Sequence, residues 1–175
     1  MPKSEVYAEY DRIMKILAEG SRGDLTALAQ KVVGFPHGVD DFIQRHWITN
    51  AIDCGSTLSI EWMLENGVNL LFRDEEGYTV LHSAIDREQE DRHYVLDALL
   101  SAGADVNAHG TNDWTPAHMA AAREDIEALK ILVRHGADLT IRTNIDYYAT
   151  PLEEAQMLGK AKSVNYLKGI TTGCN

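Results

Sequence analysis

The sequence predicts an all-α repeat solenoid, and three observations predict it. A phrase of the form Thr-x-x-(His)-x-Ala stands at TVLHSA (79–84), returns after 36 residues as TPAHMA (115–120), and returns after another 35 as TPLEEA (150–155). A second phrase, GADV (103–106), recurs as GADL (136–139) and, in degraded form, as GVNL (67–70). The phrases also keep phase, because Gly67 precedes Thr79 by 12 residues and Gly103 precedes Thr115 by 12. Self-similarity at a period of about 33 residues marks a stack of one small unit that cannot bury its apolar face alone.

The paired phrases resemble the ankyrin repeat, well over residues 41–168 and loosely over 5–33. The resemblance implies helix–turn–helix units joined by β-hairpin loops. It divides a single 175-residue domain into an N-terminal helical cap (5–33), repeats at 41–73, 74–109, 110–144 and 145–168, and a frayed tail (169–175). The chain departs from the family pattern at His46 and Trp47 (for Thr-Pro), Val80 (for Pro), Glu153 (for His) and Val68 (for Ala).

Each element has its own warrant. Residues 5–19 carry Val6, Tyr10, Ile13, Met14 and Leu17 roughly on one helical face. GSRGD (20–24) reads as the break and LTALAQKVV (25–33) as a second helix, so the pair closes one end of the stack. GFPHG (34–38) is a turn-rich connector. The first full unit is disguised, with His46 in the Thr place of HWITNAID (46–53), Gly55 at the turn and LSIEWML (58–64) as the second helix.

In the next unit Thr79 and Gly103 lie 24 residues apart, where Thr115 and Gly136 lie 21 apart, so three extra residues fall within REQEDR (87–92). An insertion of that charge is expected to be a solvated loop. YVLDALL (94–100) follows as a helix. In the most regular unit, Thr115 caps and Pro116 opens PAHMAAA, with IEALKILV (126–133) behind it. The last unit has two extra residues in its leading hairpin, among NIDYY (144–148), before PLEEAQML (151–158) and AKSVNYL (161–167).

Composition narrows the function. The net charge is −11, and residues 74–110 hold nine carboxylates against Arg87 and Arg92, a net of −7. Such a field repels phosphate backbones and attracts basic partners, so nucleic acid is an unexpected ligand. The N-terminus shows no apolar leader and no run approaches a membrane span, so a cytoplasmic protein is expected, with Cys54 and Cys174 as free thiols.

No P-loop, Gly-x-Ser-x-Gly or nucleophile–base set is visible, and the seven histidines show no ligand spacing, so neither an enzyme nor a metal or cofactor is expected. The resemblance implies that His82 and His118 brace neighbouring repeats by hydrogen bonds. It likewise places Asn107 in the position whose side chain holds the hairpin in most ankyrin repeats.

The resemblance also implies binding of a protein partner through hairpin tips and the concave face of the first helices. Carried over position by position, those sites are Glu75, Glu76, Tyr78, Asp86 and Arg87 in one unit and Asn112, Trp114 and Arg123 in the next. Asp146, Tyr147 and Tyr148 occupy the enlarged last tip, with Arg45, Asp53, Thr111, Arg73 and Arg142 in flanking places. Tyr78 and Trp114 are the expected anchors, since displayed aromatics carry large contact area. The phrase style resembles short bacterial ankyrin proteins, some of which are immunity proteins. A monomeric inhibitor that grips a basic toxin or effector is therefore one expectation, and a regulatory adaptor for another cellular protein is the alternative.

Overall fold

The computed structural model describes residues 3–144 and 148–172. Among them, ten α-helices form five antiparallel pairs: α1 (Lys3–Glu19) with α2 (Arg22–Lys31), α3 (Trp47–Cys54) with α4 (Thr57–Glu65), α5 (Val80–Asp86) with α6 (Arg92–Ser101), α7 (Pro116–Ala122) with α8 (Ile126–Arg134), and α9 (Pro151–Met157) with α10 (Ala161–Thr172). Odd-numbered helices stack on one another as an inner layer and even-numbered helices as an outer layer. Each pair therefore shares its core only with its neighbours, which is the solenoid arrangement.

The core runs between the layers. Leu17, Ile52, Met63, Leu81, Leu99, Ala120, Leu129 and Ala155 have no measurable exposure. Alanines 51, 84, 120 and 155 sit in the short inner helices, where a larger side chain would force the two layers apart. At the N-terminal end Phe35 packs edge-on against Trp47 (ring centroids 5.4 Å apart) and stacks on Trp62 (5.9 Å), so Trp47 fills the Pro place with bulk.

Beyond shifts of one or two residues at other ends, such as α1 and α6, the clearest departures from expectation fall in α2 and α10. α2 begins at Arg22 because Ser21 and Asp24 form a capping box, so Asp24 lies in the first turn of the helix and does not belong to its break. The same helix stops at Lys31, leaving Val33 90% exposed. At the other end α10 continues through Thr172, so residues 169–172 are helical where a frayed tail was expected.

The four pairs from α3/α4 onward are each preceded by a tip closed by a backbone hydrogen bond: Asp40 N–H to Arg45 O (2.7 Å), Asp74 N–H to Tyr78 O (2.9 Å), Gly110 N–H to Trp114 O (2.7 Å) and Thr143 N–H to Ala149 O (3.1 Å). The third and fourth of these differ in span by the two residues that the sequence places in the last tip. In the 41–73 unit the wholly buried Asp40 carboxylate accepts from Phe42 N (2.9 Å), Ile43 N (2.7 Å) and Asn50 Nδ2 (2.8 Å), an internal ligand for a tip that lacks the family phrase.

Candidate functional site

Histidines set the tips against their neighbours. His82 Nδ1 meets Thr79 Oγ1 at 2.7 Å and its Nε2 meets Trp114 O at 3.1 Å. One unit on, His118 Nδ1 meets Thr115 Oγ1 at 2.8 Å and its Nε2 meets Ala149 O at 3.0 Å. The Thr115 N–H also donates to His118 Nδ1 (3.2 Å), so that nitrogen is the acceptor and Nε2–H donates across the junction. Burial pushes both imidazoles down, His82 to about 4. Gly110 packs so closely on the His82 ring that a Cβ there would lie 2.6 Å from Cε1. The bracing role implied for these two histidines is the one they occupy.

The bracing sets two aromatics beside one hollow. Tyr78 stands half-buried, edge-on to His82 with centroids 6.0 Å apart, and Trp114 stands half-buried one unit along. Between them lies a hollow lined by Tyr78, His82, Thr111, Asn112, Trp114, Met119 and Arg123. A second hollow shares Tyr78 and Thr111 with the first and is walled by Arg45, Asp53, Asp74, Glu76 and Asp86. The Thr111 hydroxyl donates to Glu76 O, which ties the two tips together. Asn112 sits on the tip at φ 56° and is exposed.

The charges are less free than the composition suggests. Arg45 pairs with Asp53 at 2.6 Å and Arg123 pairs with Asp86, so both groove cations are neutralised within the groove. On the outer layer Asp97 accepts from Arg134 (2.8 Å) and His135 (2.6 Å), while Arg92 (3.2 Å) and His93 (2.7 Å) reach Asp125. Asp74 and Asp105 cap their own turns through backbone N–H groups. Of the nine carboxylates in 74–110, Asp86, Asp91 and Asp97 are ion-paired, while Asp74, Glu75, Glu76, Glu88, Glu90 and Asp105 make no ion pair among the described residues.

Arg87 is a correction. Expected on the surface, it is 4% exposed, and its guanidinium reaches back into the preceding unit. Nη1 donates to Ile52 O and Nη2 to Gly55 O (2.9 Å), while Nε and Nη2 bond Asp91 at 2.7 and 2.9 Å. Asp91 also accepts from Thr57 Oγ1, and the Arg87 hydrogen bond holds its carboxyl below the usual aspartate range. The C-terminal carbonyls of α3 lack intrahelical partners. The insertion thus delivers an arginine that satisfies them, and it is no free loop at Arg87.

The structure brings Glu76, Tyr78, Asp86, Asn112, Trp114 and Arg123 to two adjoining hollows, with Glu75 beside them on the tip. Tyr148 is 59% exposed on the last tip, and Asp146 and Tyr147 lie outside the described residues. Met119, which lines the aromatic hollow, escaped sequence reasoning; it follows His118 directly, yet it faces the junction that His82 braces and not the one His118 crosses. No described group of three His, Cys, Asp or Glu side chains could hold a metal ion, and no described helix is long and apolar enough to cross a membrane.

Two helical layers with histidine-braced tips define a repeat solenoid. Residues 89–175 match the family model of ankyrin repeats (three copies). The RelA-associated inhibitor of Mus musculus is 35% identical over 99 residues, 55% of this chain and 12% of that protein. A putative ankyrin repeat protein of Rickettsia bellii is 40% identical over 65 residues, 37% of this chain and 38% of that protein. Protein phosphatase 1 regulatory subunit 12A of Mus musculus is 29% identical over 99 residues, 57% of this chain and 9% of that protein. The chain is an ankyrin repeat protein, and it spans well under half the length of each of these relatives.

Proposed function

We propose that this chain is a non-catalytic protein-binding module that grips a partner protein through its concave face and hairpin tips. The observation that carries the proposal is the row of Tyr78 and Trp114, held half-exposed over adjoining hollows beside the unpaired Glu75 and Glu76. Aromatics fixed in this way are the residues that dominate interfaces, because they lose little conformational freedom on contact. The buried His82 and His118 are spent on bracing. Affinity capture from a native lysate with the unmodified chain and with Tyr78→Ala/Trp114→Ala tests the groove. Binding should weaken by about 2 kcal/mol or more. Equal recovery of the partner by both would reject it.

The finer reading is an inhibitor acting as a monomer in the cytoplasm, in the manner of an immunity protein against a basic toxin or effector. Support comes from the acidic tip residues and from relatives whose names are those of an inhibitor and a regulatory subunit. Co-expression with a basic toxin encoded by a neighbouring gene should relieve toxicity, and unrelieved toxicity across such neighbours would sink this reading. The alternative, a regulatory adaptor for a non-toxin protein, predicts a housekeeping enzyme as the sole stoichiometric partner in the same capture.

A further inference from the structure

The two adjoining hollows differ in chemistry, and the difference constrains what enters them. The first has Tyr78 and Trp114 as walls and the buried Met119 beneath. Its polar members are already engaged: His82 uses both ring nitrogens and Arg123 is held by Asp86. A charged side chain entering it would be desolvated without a partner, whereas a large apolar one would gain contact on three sides.

The second hollow is walled by Asp53, Asp74, Glu76 and Asp86, with Arg45 as its lining cation. Asp53 neutralises Arg45, and Asp86 faces Arg123. Asp74 and Glu76 therefore remain without ion pairs among the described residues, and Glu75 stands just outside on the same tip. A negative hollow with the Tyr78 ring in its wall suits an ammonium or guanidinium group, which gains from both the carboxylates and the ring face. Tyr78 and Thr111 belong to both hollows, so the two occupants must come from nearby points on the partner. An extended chain advances about 3.3 Å per residue, and three positions cover about 10 Å.

We propose that the groove recognises a short linear segment in which a large apolar side chain and a lysine or arginine stand within three positions of each other. This rests on the groove reading given above. The apolar residue fills the Tyr78–Trp114 hollow, and the cation faces Glu76 and Asp74.

The test is a selection of random linear 12-residue peptides displayed on phage against the whole chain, followed by affinity measurements on synthetic copies. Enriched peptides should share an aromatic, Leu or Met within three positions of Lys or Arg. Glu75→Gln/Glu76→Gln, both exposed and outside the core, should weaken them about tenfold at low salt, with little effect at 0.5 M NaCl, where exposed charges are screened. Peptides that are neutral or acidic, or that ignore the two glutamine changes, would overturn the inference while leaving the groove intact. Peptides bound equally by Tyr78→Ala/Trp114→Ala, shown folded by its thermal melt, would overturn the groove reading itself. A selection that yields no groove-dependent peptide would reject the linear segment.

Discussion

Acid should loosen the junctions between repeats, and His82 sets the size of the effect. Its imidazole is held down to about 4 by burial, against about 6.5 in the unfolded chain. Between those values the unfolded chain binds a proton that the native chain does not, so stability rises with pH. The contribution is whole above about pH 6.5 and is lost as pH falls toward 4, the full gap being worth about 3 kcal/mol. At pH 5 the loss has reached about 2 kcal/mol. His118 is shifted in the same direction by burial and adds to the loss. Asp91 and Asp97, held low by Arg87 and Arg134, keep their charge in this range and give up their share only at lower pH. The assay is denaturant unfolding of the unmodified chain and of His82→Gln at pH 7.5 and pH 5. The stability difference between the two should shrink by about 2 kcal/mol at the lower pH. A difference that stays constant would refute the assignment of His82 as a neutral, buried brace.

Arg87→Ala should cost about 3 kcal/mol or more in the same assay, because it strands the α3 carbonyls and the Asp91 carboxylate together. Arg87→Lys should recover only part of that loss, since an ammonium cannot span both carbonyls and the carboxylate. Leu71→Asn should stabilise by about 1 kcal/mol. Asn107 Oδ1 accepts from Asp138 N–H at 2.9 Å across one junction, and Leu71, 68% exposed, holds the equivalent place at the junction before it. Thermal melts of that variant should shift upward, and no shift would show that the missing bond is already replaced.

Much of the fold was legible because it is repeated. Thr79, Thr115 and Thr150 mark the starts of three inner helices, and the count from Gly67 found the disguised one at His46. The bracing histidines followed from the family phrase. What stayed hidden was pairing between units. The fate of Arg87 depends on carbonyls 32 and 35 residues upstream, which no local pattern displays. The acidic stretch looked like a free surface for the same reason, since its neutralising cations lie one unit away. Asp86 and Arg123 are 37 residues apart, and Asp97 and Arg134 are likewise 37 apart. Opposite charges at one repeat period were the available signal. The α2 boundary was missed because Ser21 and Asp24 look like breaker residues until their reciprocal bonds are seen.

The Arg87 lock gives the solenoid a direction. Junctions toward the C-terminus are crossed by a histidine bond to a carbonyl, whereas the α3–α5 junction is crossed by a buried guanidinium bonded to two carbonyls and a carboxylate. A machine that unravels the chain by pulling from its C-terminal end would peel the last two units first and stall where Arg87 holds. The fragment left behind would keep the cap, the Trp47 cluster and the acidic tip, but would lose Trp114. Partial degradation would thus remove one wall of the proposed groove before it dismantled the protein.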